Sequence, residues 1–193
     1  MFLVFDTETT GLPKNWRAPA SDVANWPRVV QLAWEAYDKE GQKTGTEGYI
    51  VRPDGFQIPK DAEQIHGIST IKARRDGRAL VDVLESFTRA VEGAQVIVSH
   101  NISFDENVVL AEFHRVDRPS RLHMKARVCT KEAATDFCQI PGQYGFKWPT
   151  LAELYFRLFK KELQEAHDAS RDVSACARCF FELKRLGVIR IKL

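Results

Sequence analysis

Phe2-Leu3-Val4-Phe5-Asp6-Thr7-Glu8-Thr9-Thr10-Gly11 is the stretch from which the rest of the chain is read. Phe2 to Phe5 is a short apolar run of the kind a strand shows when both of its faces are buried. Asp6 and Glu8 follow two residues apart, and in extended chain that spacing puts both carboxylates on one face with Thr7 on the other. A core strand that ends in two cofacial acids is costly unless something offsets the charge. A hard divalent cation is the usual partner for such a pair. The competing explanation for a lone Asp-x-Glu is a solvated strand end, and only further acids elsewhere in the chain separate the two.

Outward from Gly11 the pattern alternates between sheet and helix. Leu12 to Pro27 is a loop with three prolines, Trp16 and Trp26. Arg28 to Tyr37 alternates, with Val30, Leu32, Trp34 and Ala36 on one face and Gln31 and Glu35 on the other, as a half-buried strand would. Asp38-Lys39-Glu40-Gly41 turns the chain, and Thr46 to Arg52 returns as a third strand, so the first three form an antiparallel meander. Pro59 to Ile71 reads as short helical turns around His66-Gly67-Ile68. From Arg78 the period becomes helical, with Leu80, Val83, Leu84, Phe87 and Val91 on one stripe that ends near Gly93. Gln95 to Ser99 is a fourth strand. Ser103 with Glu106 three residues on reads as a capping box, opening a helix that runs to about Val116 with Asp105 in its first turn. Arg127 to Thr130 completes the strands. Helices are expected over Lys131–Cys138, Thr150–Phe159, and from an Asp168 N-cap to about Gly187, the last burying Val173, Cys176, Phe180 and Leu183. Strands first, then strands alternating with helices, describe an α/β fold with a mixed five-stranded sheet flanked by helices.

Composition bounds the function. The chain has 193 residues, 44% of them hydrophobic and 28% charged, which are globular values and suit one domain over 1–193. No apolar run approaches the roughly 20 residues that cross a bilayer, and Phe2–Phe5 falls short of a signal-peptide core of about 7–15. The expected setting is therefore cytoplasmic, with no membrane partner and with Cys129, Cys138, Cys176 and Cys179 reduced. Cys176-x-x-Cys179 lies mid-helix on a buried flank without zinc-knuckle turn residues, so zinc is disfavoured. The net charge is only +2, but four arginines (115, 118, 121, 127) and Lys125 against Asp117 give one stretch a net +4, and Lys72 to Arg78 carries +3. Such runs suit phosphate backbones or simply face water.

Four acids thus stand at element ends, namely Asp6, Glu8, Asp105 and Asp172, with His167 five residues before Asp172. Their settings are Phe5-Asp6-Thr7-Glu8-Thr9-Thr10-Gly11-Leu12, His100-Asn101-Ile102-Ser103-Phe104-Asp105 and His167-Asp168-Ala169-Ser170-Arg171-Asp172, with His66-Gly67-Ile68-Ser69 between the first two. Together, and in that order, they resemble the motifs of the DEDDh (DnaQ-like) 3′–5′ exonucleases, the family of the proofreading epsilon subunit and ribonuclease T. The resemblance runs from Met1 to about Gly187. It implies a ribonuclease H-like fold and hydrolysis of phosphodiester bonds from a single-stranded 3′ end, releasing 5′-mononucleotides, with DNA slightly favoured over RNA. It implies two divalent cations, Mg²⁺ or Mn²⁺, with Asp6 bridging them, Glu8 and Asp172 completing one site, and Asp105 serving the other. It makes His167 the general base, because an imidazole titrates near neutrality. The tyrosine branch of the superfamily carries that base one residue later, where this chain has Asp168. Thr9, Leu12, His66, Asn101 and Phe104 are the substrate contacts the resemblance implies, with Phe104 stacking on the terminal base and Leu12 wedging between bases.

Two other functions compete with this one. A haloacid-dehalogenase-like phosphatase also opens with an apolar strand and an Asp-x-Asp-x-Thr signature, but here the second acid is Glu8, and Asp105 and His167 would be idle. A catalytically silent nucleic-acid- or polymerase-binding module on the same fold would not need all five catalytic positions intact. The chain stops a few residues after its last helix, so no polymerase-tethering tail is expected, and neither a polymerase nor a homodimer partner is legible.

Overall fold

The computed structural model describes residues 1–163 and 168–191. Its centre is a five-stranded sheet in the order β3-β2-β1-β4-β5. The strands are β1 (Phe2–Thr9), β2 (Val29–Tyr37), β3 (Lys43–Ile50), β4 (Val96–Ser99) and β5 (Ala126–Cys129). β1 pairs antiparallel with β2 and parallel with β4, and β4 pairs parallel with β5. The central strand therefore sits where the sheet changes direction, and the parallel strands β1 and β4 end side by side. Crevices beyond the carboxyl ends of parallel strands are where open α/β sheets bind ligands.

Alternation along β1 divides the core in two. Leu3 and Phe5 face one way and pack with α3 (Leu80–Gly93) and α4 (Ile102–Arg115). Phe2 and Val4 face the other way and pack with α8 (Ala169–Arg185), burying Val173, Cys176, Phe180 and Leu183. Fully burying each such side chain is worth about 1.5–3 kcal/mol. The same parity carries Asp6 and Glu8 onto the α8 side and Thr7 onto the α4 side. Smaller elements fill the margins, with α1 (Lys60–His66) and α2 (Thr70–Asp76) beyond β3, and α5 (Thr130–Ala133) and α6 (Thr135–Cys138) after β5. A short hairpin of β6 (Pro141–Gly142) and β7 (Gly145–Phe146) then leads to α7 (Leu151–Phe159). None of the described helices is long and apolar enough to cross a membrane.

Several elements depart from expectation. β2 is buried on both faces rather than one. Its polar face is covered by α8: Gln31 Oε1 accepts from Ala169 N at 3.1 Å and Glu35 Oε1 from Ser174 Oγ at 2.7 Å. Gly48 on β3 allows that approach, since a Cβ there would lie 2.6 Å from Ser170 Oγ. Ser103 is not the N-cap of α4. The helix starts at Ile102 behind Asn101, which takes φ 99° and ψ 47°, and Glu106 is drawn off to pair with Arg127 at 2.9 Å. β3 starts at Lys43, earlier than Thr46, and Lys131–Cys138 is divided between α5 and α6. Arg78 precedes α3 and bridges to Val51 instead.

The basic run His114–Arg127 is partly structural. Arg115 is partly buried beside Glu112 and donates to the carbonyls of Val23 and Trp26 at 2.6 and 2.7 Å. Lys125 Nζ donates to the Ala94 carbonyl at 2.7 Å. Arg127 pairs with Glu106 while its side chain stays largely exposed, so Arg115 and Lys125 are the cations of the run that the fold engages most.

Candidate active site

The ends of β1 and β4, the first turn of α4 and the first turn of α8 meet in one cleft of about 340 Å³. Asp6, Glu8, Leu12, Asn101, Phe104, Asp105 and Asp172 all line it, and Thr7, Trp16, His100 and Leu151 complete it. Carboxylate oxygens of Asp6, Glu8 and Asp172 lie within 4.8 Å of one another. Asp172 reaches them because Asp168 caps α8, accepting from Ser170 N at 3.0 Å and from Arg171 N at 3.3 Å, which sets the helix's first turn over the strand end. The positive end of the helix dipole then points toward the acids.

Asp105 arrives from the opposite side of the sheet and is fixed by three donors. Thr7 N gives 3.1 Å, Thr7 Oγ1 2.8 Å and Ser99 Oγ 2.7 Å. Thr7, turned away from the acid pair by strand alternation, is thus what ties β1 to the fourth acid. Burial raises the Asp105 carboxyl to about 6, and these hydrogen bonds pull in the other direction. Burial, joined by repulsion from Asp172 and Asp105, pushes Glu8 up to about 8. Asp6 is held well above the usual carboxylate range, first by burial and then by Asp105, Asp172 and Glu8. Among the described residues Asp6, Glu8 and Asp105 form no ion pair. A hard, oxygen-only donor set whose members repel one another fits a divalent cation such as Mg²⁺ or Mn²⁺.

His100 frames the cleft as a neutral side chain. Its Nε2–H donates to the Pro149 carbonyl at 3.0 Å, which leaves Nδ1 to accept from Thr130 Oγ1 at 2.9 Å. Burial lowers its pKa to about 4, and Lys131 adds to that. The bond to Pro149 draws the segment before α7 against the end of β4. Asn101, in its left-handed conformation, accepts from Lys131 Nζ at 2.8 Å.

Not every expected contact is in the cleft. Thr9 turns its hydroxyl to the Gly11 carbonyl at 2.7 Å and shapes the turn that follows β1. His66 is buried at the end of α1, where its Nδ1 accepts from Ile68 N at 3.1 Å, and it is absent from the cleft's lining. Leu12 stands 72% exposed at the rim. His167 lies outside the described residues. Sequence reasoning missed Trp16, whose ring meets Phe104 at 5.7 Å between centroids. A loop containing both Trp16 and Trp26 gives no signal to separate them, and Trp26 is buried with its Nε1–H on the Pro19 carbonyl.

The family model described as Exonuclease, RNase T, matches residues 3–180. The chain belongs to the RNase T exonuclease family. Its mixed five-stranded sheet flanked by helices is the ribonuclease H-like fold of DEDDh-type 3′–5′ exonuclease domains. No curated protein sequence matches it. Among solved structures it is similar to E. coli exonuclease I in complex with a dA16 oligonucleotide, at 22% identity and TM-score 0.74, over 95% of this chain and 40% of that one. The zinc-bound E. coli exonuclease I complex with single-stranded DNA gives 24% identity and TM-score 0.76, with 95% and 40% covered. A structure of exonuclease I said to suggest how processivity is achieved gives 25% and 0.75, again with 95% and 40% covered. The chain spans about two fifths of the length of these exonuclease I chains.

Proposed function

We propose that residues 1–193 form one exonuclease domain that removes 5′-mononucleotides from the 3′ end of single-stranded nucleic acid, DNA in preference to RNA, with divalent cations bound by its acids. The observation that carries this reading is the convergence of four carboxyl groups from three elements in one cleft that also presents Leu12, Trp16, Phe104 and Leu151. The oligonucleotides in the exonuclease I structures support a single-stranded DNA substrate by analogy.

Asp6, Glu8 and Asp172 would hold one cation, and Asp6 with Asp105 a second. When bound, such cations generate hydroxide from water near neutral pH and offset charge at the phosphate and leaving oxygen. The chain's own residues do the rest. Thr7 and Ser99 keep Asp105 oriented toward the cleft. His167 takes the proton from the attacking water, and Phe104 gives the terminal base an apolar face that accepts any base. Leu12 separates that base from its neighbour.

The deciding experiment is digestion of matched single-stranded DNA, duplex DNA and RNA, each labelled at the 5′ end, with Mg²⁺ or Mn²⁺ and with chelator. A ladder shortening from the 3′ end of single-stranded DNA, abolished by chelator, is the expected result. Cleavage of a circular strand, or no cleavage of any substrate with metal present, would overturn the proposal.

A further inference from the structure

The acid cleft has a weakness as a nucleic-acid site, because among the described residues its lining includes four carboxylates and no lysine or arginine. Hydrolysis demands those acids, yet a polyanion approaching them is repelled until cations are bound, and retention of the strand has to come from elsewhere. The neighbouring surface supplies what is missing. A second cleft of about 460 Å³ shares Trp16 and Asn101 with the acid cleft and adds Ser103, Lys131, Glu132 and Trp148. Its size is within the range of roughly 300–1,000 Å³ that small ligands occupy.

The side chains there are arranged rather than scattered. Trp148 is 60% exposed and Trp16 53% exposed, and Trp16 already leans on Phe104 beside the acids. The Lys131 ammonium sits 4.4 Å from the centroid of the Trp148 ring and donates to Asn101 Oδ1 at 2.8 Å. An ammonium has three donors, so this one fixes the indole and the Asn101 turn while keeping a proton and its charge for a ligand. Two half-exposed indoles lining one groove, with a cation on one of them that can outbid the neighbouring Glu132 for a phosphate, match a chain of bases joined by phosphates.

We infer that this second cleft is a nucleotide subsite for the strand on the 5′ side of the bond to be cut. The two or three bases next to the terminal one would stack on Trp16 and Trp148, with a backbone phosphate against Lys131. The inference rests on the exonuclease reading for its direction along the strand, and it makes Trp148 and Lys131 substrate-positioning residues on a different wall from the acids.

The test uses 5′-fluorescein oligothymidylates of two, four, six and ten nucleotides, with Ca²⁺ replacing Mg²⁺ so that binding is read without turnover. Wild-type affinity should climb steeply from the dinucleotide to about the tetramer or pentamer and then level off. Trp148→Ala should weaken binding of the decamer by roughly tenfold or more, as base–aromatic stacking does, and flatten the climb. Trp148→Phe should recover most of the loss. Lys131→Met should lower the slope of log affinity against log salt by about one for a single phosphate contact. Melting of each variant confirms folding, and if Trp148→Ala fails to fold, Lys131→Met and Trp148→Phe still decide the matter. A Trp148→Ala length dependence or a Lys131→Met salt slope equal to the wild type's would overturn the inference, as would a Trp148→Ala loss equal for dinucleotide and decamer. The two readings fail separately. Wild-type protein that binds the decamer with this length dependence but never shortens it in Mg²⁺ would sink the exonuclease reading while supporting the subsite. Protein that shortens single strands with an affinity indifferent to length would sink the subsite alone.

Discussion

Helix α4 buries Asp105, Glu106 and Glu112, and the first and last of these are treated in opposite ways. Glu112 is 1% exposed and fully matched: Arg28 Nε lies at 2.9 Å, Arg115 Nη1 at 3.2 Å, and Val29 N donates at 2.8 Å. Asp105, two turns earlier, is 3% exposed and receives only hydroxyls and one backbone N–H, with other carboxylates for neighbours. A buried carboxylate without a counter-ion is costly enough that folding alone gives no reason to keep it. Glu112 finds its counter-charge within the chain. Asp105, Asp6 and Glu8 form no ion pair among the described residues, and under the proposed function their counter-charge is a cation from solution. That is the physical difference between a structural acid and a functional one, and it can be broken by experiment.

Removing one acid from each group should give opposite results. Asp6→Asn takes away the acid whose neighbours all repel it, and the proposed shared ligand with it. Activity should fall by roughly 10³-fold or more, given the several kcal/mol of charge stabilisation a cation contributes. The metal-free protein should nevertheless melt higher, since buried repulsion is relieved. Glu112→Gln should do the reverse. Leaving Arg28 and Arg115 without their carboxylate costs about 3–5 kcal/mol, which is roughly 10 °C of melting temperature for a chain of this size, while turnover per folded molecule is retained. Thermal melts without metal and initial rates at a temperature where both variants are folded check the pair. If Asp6→Asn melts below the wild type, the acids are not in conflict and the comparison collapses.

The next effect is the pH dependence of stability, and its sign follows from proton binding. Glu8 is raised to about 8 and Asp105 to about 6 in the fold, against ordinary values near 4. Between those limits the native state holds more protons than the unfolded chain, so metal-free stability falls as pH rises from about 5 to 8. His100 works the other way lower down. Lowered to about 4, it stays neutral while the unfolded chain's imidazole protonates, so it withdraws stability as pH falls from about 6.5 toward 4. Cation binding competes with protons for the acids and should stabilise more at pH 8 than at pH 5, by about 2.7 kcal/mol at a hundredfold excess over Kd. Melting curves across pH 4–9, with and without Mn²⁺, give both limbs. A metal-free curve that rises from pH 6 to 8 would contradict the electrostatics described for Glu8.

How far the sequence carried this comparison depends on the range of the interaction. The parity of β1 needs only neighbouring residues, and it placed Asp6 and Glu8 together and Thr7 opposite before any fold was known. The stripe of α8 and the cap at Asp168 are equally local, and they bring Asp172 to the same place. What was misread depends on distant chain. Gln31 and Glu35 read as a solvent face because nothing near β2 announces that α8 will cover it. Ser103 and Glu106 have the spacing of a capping box, but Glu106 is claimed by Arg127 from the next strand. The basic run reads equally as a phosphate surface or a solvated face because the carbonyls of Val23, Trp26 and Ala94 that engage Arg115 and Lys125 lie far off in the chain. Charge is legible in a sequence; the partner that neutralises it is legible only when it is close by.

The smallest expected effect tests the link between the two sides of the sheet. Thr7→Val keeps the shape of the side chain and the backbone bond from Thr7 N to Asp105, and removes only the hydroxyl at 2.8 Å. That hydroxyl stabilises ionised Asp105, so its loss should push the carboxyl further up from about 6. At pH 8, where Asp105 must otherwise ionise, the variant should lose about 1 kcal/mol of stability. At pH 5 the carboxyl is protonated in both proteins, so the loss should be smaller. Mn²⁺ affinity, measured by calorimetry at pH 8, should weaken by a few-fold because the ligand is less firmly oriented and holds its proton longer. Ser99→Ala, which removes the donor at 2.7 Å from the other oxygen, should behave alike. Equal losses at both pH values, with metal affinity intact, would mean that Thr7 packs against Asp105 without tuning it.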